Sequence, residues 1–376
     1  MRCYTRLPMK RLGFLLLFAA TSGWAQTPQA AAPIVSPEVL SDNRVTFRFR
    51  APNAKEVFLE REGPTRVPME KNEQGVWSFT SDPLEPDYYG YSFIVDGVAL
   101  IDPMNPLMKP NLLNTQSMVH VPGPVSLPWE TNHVPHGTVH HHFYRSRVVG
   151  DERDLFVYTP PAYDPRAKKL YPVLYLQHGY SGDARGWAVN GRANVTLDNL
   201  IAEGKAKPML MVMSLSYGAP EIVQRSGPDL GLLKRNYDRF RDALLTEVIP
   251  EVEKSYRVAK DRNARAIAGV SMGGAESLYV GLNAVNTFAW IGSFSAGGMM
   301  DNYNAAYPTL NSEVNARLRL LWIACGIEDG LIGANRKFRE WLTSRNVKFT
   351  AIETPGMHTW LVWRRNLAAF APLLFR

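Results

Sequence analysis

The chain has 376 residues, 45% hydrophobic and 20% charged, with 28 Gly and 27 Pro in no repeating period. These values exclude a wholly disordered or collagen-like chain and allow about two or three domains with real cores. The formal charge is +7, but Arg2, Arg6, Lys10 and Arg11 precede every acidic residue, and seven minus those four leaves +3, too mild to argue for a nucleic-acid partner.

The basic residues introduce a leader. Leu12 to Ala20 is a short apolar run, and Gly23-Trp24-Ala25 places small residues at −3 and −1 before Gln26. That is the pattern of a cleavable secretory signal over 1–25, shorter than the ~20 apolar residues of a membrane span. The expected location is therefore secreted or periplasmic, with no membrane association after cleavage. Cys3 leaves with the leader. Cys325 then stands alone inside the apolar run Leu320–Cys325, where it reads as a packing residue rather than a nucleophile.

Residues 26–35 are rich in Ala, Pro and Gln and read as a linker. From 36 to 122 the texture is all-β. Val45, Phe47 and Phe49 alternate with polar neighbours, as do Val57 and Leu59, Trp77 and Phe79, and Tyr91, Phe93 and Val95. Asp96-Gly97 supplies a hairpin turn. Short strands between turn residues predict a small Ig-like β-sandwich. Residues 123–137, rich in Pro and Gly, predict an interdomain linker.

After residue 138 strands alternate with helical patterns. Leu155–Tyr158, Val173–Leu176, Met209–Met213 and Ala264–Ala268 read as strands. Arg239 to Tyr256 carries helical spacing through Phe240, Leu244, Val248 and Val252, with Pro250 as a kink. Alternation over 138–376 predicts a mostly parallel sheet with helices on both faces.

Gly269-Val270-Ser271-Met272-Gly273 is a G-x-S-x-G pentapeptide between a predicted strand and a predicted helix. That context is what a nucleophile elbow requires, since the turn exposes the serine oxygen at the sheet edge. A serine needs a base, and in this fold class the acid and the histidine follow the serine in chain order. His358 is the only histidine after Ser271, in a Pro-Gly loop before a helical stretch. The orienting carboxylate belongs at the end of the strand Leu318–Cys325, where Gly326-Ile327-Glu328-Asp329-Gly330 offers Asp329 as the choice and Glu328 as the alternative.

Two backbone N–H groups should stabilise the developing oxyanion. Met272, directly after the nucleophile, supplies one. Tyr180 supplies the other, with Gly179 behind it, at the end of Leu174–Tyr180. His178 is expected to shape that loop. His140-His141-His142, near His133 and His136, raises the question of a metal. Neighbouring histidines on a strand point to opposite faces, so no metal is expected there.

His178-Gly179, Gly269-Val270-Ser271-Met272-Gly273-Gly274, Asp329 and His358-Thr359-Trp360 together resemble the esterase D-like α/β-hydrolases, and more narrowly carbohydrate esterase family 1, with its feruloyl and acetyl-xylan esterases. Tyr91–Gly97 and Asp102-Pro103 are similar to an early-set sandwich of the carbohydrate-binding module family 48 type. The resemblance implies an α/β-hydrolase at 138–376 and a serine esterase acting on acyl groups of plant polysaccharide or oligosaccharide, with no metal or organic cofactor. Trp360, two residues from His358, and Trp187 are the candidates for the acyl pocket, and the sandwich is expected either to contact glycan or to pack against the catalytic domain. The rival readings are a siderophore trilactone esterase, which shares this hydrolase core, and a non-catalytic carbohydrate-binding protein.

Overall fold

The alternating residues of the N-terminal part fold as a two-sheet sandwich. In this computed structural model residues 33–63, 65–224 and 229–376 are described, and the leader expected at 1–25 lies outside them. One sheet has four strands, with Val45–Arg50 and Val76–Thr80 at its centre. The other has six, built around Asp87–Val95. Val45, Phe47, Leu59, Trp77, Tyr91 and Phe93 form the core between them. Phe47 meets Tyr91 edge-on at 4.8 Å, a favoured aromatic geometry.

The strand Asp87–Val95 is buried on both faces along almost its whole length. Tyr89, Tyr91 and Phe93 fill the sandwich, as the period of two requires. The opposite face, with Tyr88, Ser92 and Ile94, is covered from outside: Tyr88 packs with Met118 and Trp129 beside Ala368. Val35 to Arg376 accordingly form one compact unit.

The C-terminal part carries an eight-stranded sheet. In spatial order its strands are Thr138–Arg145, Glu152–Thr159, Leu210–Ser214, Val173–Gln177, Arg265–Val270, Trp290–Phe294, Leu320–Gly326 and Thr350–Thr354. The first two run antiparallel to their neighbours and the remaining contacts are parallel. Two apolar layers cover its faces. The helical run around Pro250 has a sharper solution than a kink. An α-helix over Leu230–Ala243 passes through a π-turn at Leu244–Val248 and resumes at Ile249–Ser255. Pro250 has no N–H to return to the preceding turn, and the wider turn absorbs the missing bond.

The stretch 123–137 is firmly packed for a linker. Trp129 is buried, and its indole N–H donates to Asp87 Oδ1 at 2.9 Å. Asn199 donates to the carbonyls of Pro128 and Glu130, each at 2.8 Å. The segment is a strap laid across both parts.

One charged pair joins the parts internally. Arg364, on the helix Trp360–Phe370, donates to Asp87 Oδ1 at 2.8 and 3.1 Å, to the Tyr88 carbonyl at 2.7 Å and to the Asn190 carbonyl at 2.9 Å. Both side chains are 1% exposed. Burial raises the Asp87 carboxyl pKa, even against the pull of Arg364 and the Tyr88 and Trp129 N–H donors. Asp87→Ala would strand the guanidinium without its counter-ion. The expected cost is about 3–5 kcal/mol, read from urea unfolding monitored by tryptophan fluorescence.

Candidate active site

The strand Arg265–Val270 is fully buried at the centre of the parallel strands and delivers Ser271 at its C-terminal end. Ser271 has φ 77° and ψ −111°, a conformation that costs a non-glycine residue about 1–3 kcal/mol. Three backbone bonds hold it there. Its N–H donates to Phe294 O at 2.9 Å, while its carbonyl accepts from Ala275 and Gly297, each at 3.0 Å. The motif glycines are needed for close approach: a Cβ on Gly269 would lie 2.4 Å from Gly273 O, and one on Gly273 would lie 2.3 Å from His178 O.

Ser271, His358 and Asp329 converge from three different loops. Ser271 Oγ lies 3.0 Å from His358 Nε2, and His358 Nδ1 lies 2.8 Å from Asp329 Oδ2. With Nδ1–H donating to the carboxylate, Nε2 is left to accept the serine proton. Asp329 is buried, which pushes its pKa up. Hydrogen bonds from His358, the Leu331 N–H and the Ser295 hydroxyl outweigh this and hold it below the usual value. Glu328 is exposed and accepts instead from the Gly356 N–H, pinning the loop that carries His358.

Two further residues join this chain of bonds. Trp363 stands edge-on to the His358 ring at 4.8 Å, and its indole N–H donates to Ser295 Oγ at 3.2 Å. Ser295 thus links Trp363 to Asp329. Sequence reasoning missed both. Trp363 was findable, one helical turn after Trp360 and on the same face. Ser295 follows the strand beside the one that delivers Ser271 and has φ 50°, which local sequence does not announce. Burial pushes the Cys325 thiol up to about 12, as befits a packing residue beside Asp329.

The loop facing Ser271 is shaped by His178. Its Nδ1–H donates to Gly179 O at 2.8 Å, and its Nε2 accepts from the Ser216 N–H at 3.0 Å. Burial lowers its pKa to about 4, so the ring is neutral. Gly179 lets this loop approach: a Cβ there would lie 3.2 Å from Ser271 Cβ. Tyr180 lines the same cleft as Ser271. Met272 is the first residue of the helix Met272–Asn283, where a backbone N–H has no intrahelical acceptor.

The cleft above Ser271 encloses about 840 Å³. Trp360 and Trp363 form part of its wall, but Trp187 does not reach it. Trp187 is 1% exposed, lies edge-on behind Trp360 at 5.1 Å and donates its indole N–H to Gln177 O at 2.8 Å. A buried indole needs such an acceptor, and the apolar layer claims the rest of the ring. The opposite wall comes from the sandwich, through Glu62, Ser92, Ile94, Lys109, Asn111 and Gln116.

The histidine tract is a surface strand. His140 and His142 face Tyr256, whereas His141 points the other way, to Asp154 and Phe156. Among the described residues no three His, Cys, Asp or Glu side chains gather as a metal site.

A central parallel sheet, a serine on a strained strand-to-helix turn and a loop histidine behind it define an α/β-hydrolase. The family model described as putative esterase matches residues 146–374. The chain belongs to this esterase family, and the match leaves the sandwich outside it. The chain is 30% identical over 351 residues to an endo-1,4-beta-xylanase/feruloyl esterase of Xylanibacter ruminicola, an overlap of 90% of this chain and 46% of that relative. It thus spans about half the length of that protein. A solved carbohydrate esterase family 1 ferulic acid esterase from Anaeromyces mucronatus is similar at 25% identity and a TM-score of 0.58, over 65% of this chain and 93% of that one. The enterobactin esterase of Shigella flexneri shares the fold at 19% identity and a TM-score of 0.66, over 88% of this chain and 92% of that one. That likeness therefore extends into the sandwich.

Two outcomes follow from the geometry. Asp329→Asn should lower turnover by roughly 10⁴-fold by admitting the wrong His358 tautomer, whereas Glu328→Gln should cost far less, as read from steady-state kinetics on an aryl ester. His178 carries no proton when folded down to about pH 4, but gains one near its ordinary value of 6.5 when unfolded. The unfolded state thus binds more protons in that window, and stability falls as pH drops through it, by about 3 kcal/mol in all. Urea unfolding of His178→Gln from pH 7 to 4 should give a shallower pH slope than the parent chain.

Proposed function

We propose that this chain is a serine esterase that removes feruloyl or acetyl groups from plant polysaccharide or oligosaccharide. The observation that carries the reading is the bonded sequence Ser271, His358, Asp329 at the floor of a cleft with an indole wall. Ser271 Oγ attacks the ester carbonyl while His358 Nε2 takes its proton. The N–H groups of Tyr180 and Met272 face the oxyanion. His358 then returns the proton to the departing sugar oxygen, leaving an acyl-enzyme, and activates the water that releases the acid. No cofactor enters any step.

The carbohydrate substrate is supported by the relatives' named activities and by the two walls. Trp360 and Trp363 suit a flat acyl group, and the amides and charges of Asn111, Gln116 and Lys109 suit sugar hydroxyls. Glycan contact by the sandwich would then occur at the cleft itself. The leader at 1–25 supports a secreted or periplasmic protein. No helix among the described residues is long and apolar enough to cross a membrane. The second reading, a siderophore trilactone esterase, is favoured by one observation: the Shigella flexneri likeness extends over both parts.

The deciding measurement compares methyl ferulate, acetylated xylan and a catecholate trilactone on the purified chain. The proposal expects kcat/KM to be highest on a feruloyl or acetyl ester and Ser271→Ala to remove roughly 10⁴-fold or more of it. A clear preference for the trilactone would transfer the assignment to the second reading. Undiminished turnover in Ser271→Ala would discard the nucleophile.

A further inference from the structure

The helix Trp360–Phe370 begins two residues after His358, yet it has no cap of its own. Thr359 makes no side-chain capping bond, and no acidic residue lies in the first turn. A helix start normally needs a side-chain acceptor for its free N–H groups and favours a negative charge beside them. Here both come from the other part of the molecule. Glu62, in the turn after the sandwich strand Val57–Arg61, accepts from the Trp360 N–H through Oε1 at 2.8 Å.

Glu62 is itself held on every side. Its Oε2 accepts from the Gly90 N–H at 3.0 Å and pairs with Lys109 Nζ at 3.2 Å. Lys109 in turn donates to Gln116 at 3.0 Å. The Glu62 N–H donates to Gly90 O at 2.8 Å. The carboxylate side chain is only 6% exposed. Such a group is expensive to bury and is retained where its geometry is specific. One turn further along the same helix, Arg364 makes the buried pair with Asp87. The sandwich therefore grips this helix twice, and the first grip falls at the end of the His358 loop.

The geometry points to Glu62 as a positioning residue for His358: a sandwich carboxylate caps the helix that follows the catalytic base and so sets where the imidazole stands. The inference rests on the serine-esterase reading above. Its physical content is that His358 sits on a short turn, Met357 to Thr359, tied by the Thr359 N–H to Met357 O bond at 2.9 Å. The far end of that turn is the Trp360 N–H. Freeing it lets the turn unwind and moves Nε2 relative to Ser271 Oγ.

The test uses the whole purified chain and p-nitrophenyl acetate, whose acyl and leaving groups are too small to need the sandwich wall. Glu62→Gln keeps one acceptor for the Trp360 N–H but turns an amide donor towards Gly90 and Lys109. Glu62→Ala removes the cap altogether. Losses in kcat of about 10-fold for Gln and 10²-fold for Ala are expected, with KM within about two-fold, because a misplaced base costs rate rather than binding. Labelling of Ser271 by a small fluorophosphonate should slow in parallel. Arg192→Ala is the control. Arg192 contacts the Trp129 carbonyl, Thr131 and the Tyr88 ring, across the same divide but away from His358. It should lower the melting temperature while leaving kcat unchanged. Glu62→Gln and Glu62→Ala turning over like the parent would overturn the inference. So would an Arg192→Ala loss of kcat matching theirs, since loosening of the two parts would then suffice. If Glu62→Ala does not fold, Glu62→Gln and the labelling rate still decide. A parent chain inert to the ester and the phosphonate would instead sink the esterase reading, and the inference with it.

Discussion

The buried pair between Arg364 and Asp87 is the constraint around which the molecule is organised. An ion pair this deep is costly to form, and it persists because its remaining donors find carbonyls on both parts of the chain. That requirement fixes the helix Trp360–Phe370 against the sandwich. The same helix carries Trp360 and Trp363 into the cleft and follows directly from His358. Placement of the indole wall and of His358 therefore depends on a contact outside the hydrolase sheet. The strap at 123–137 closes the arrangement, since Trp129 donates to the same carboxylate oxygen that Arg364 grips.

Around Ser271 the logic is one of strain contained by packing. The positive φ of Ser271 is unfavourable locally, and flanking strands supply the backbone partners that hold it. Gly269 and Gly273 permit the turn to lie against the His178 loop at distances no side chain would tolerate. His178, kept neutral by burial, ties that loop to Ser216 on the far side.

Much of this was legible in the amino-acid sequence because it follows local rules. Strand–turn–helix context marked Ser271, and chain order led to Asp329 and His358, which the structure brings within hydrogen-bond distance of one another. Period-two alternation marked the sandwich core. What escaped were features fixed by distant partners. Trp187 and Trp360 look alike in sequence, and only the acceptor at Gln177 explains why the first is internal. Ser295 gains its role from Trp363 and Asp329, far away in the chain. The outer face of Asp87–Val95 reads as ordinary strand, although it packs on another layer. The stretch 123–137 has the composition of a linker but the contacts of a strap.

The two-sided cleft also separates what can drift from what cannot. Ser271, Asp329 and His358 stand on turns and loops just beyond strand ends whose register is shared across the eight-stranded sheet, so a shift at one end is felt along its neighbours. The outer part of the facing wall is made of surface turns of the sandwich, at Gly63 and around Asn111, Asn114 and Thr115, outside the largely buried side chains of Glu62 and Lys109. Changes in length or polarity at the outer positions there, such as Asn114 and Thr115, can re-tailor the mouth without disturbing the register beneath. The outer rim of the sandwich can thus reshape the mouth, while Glu62 behind it and the strand ends opposite stay fixed.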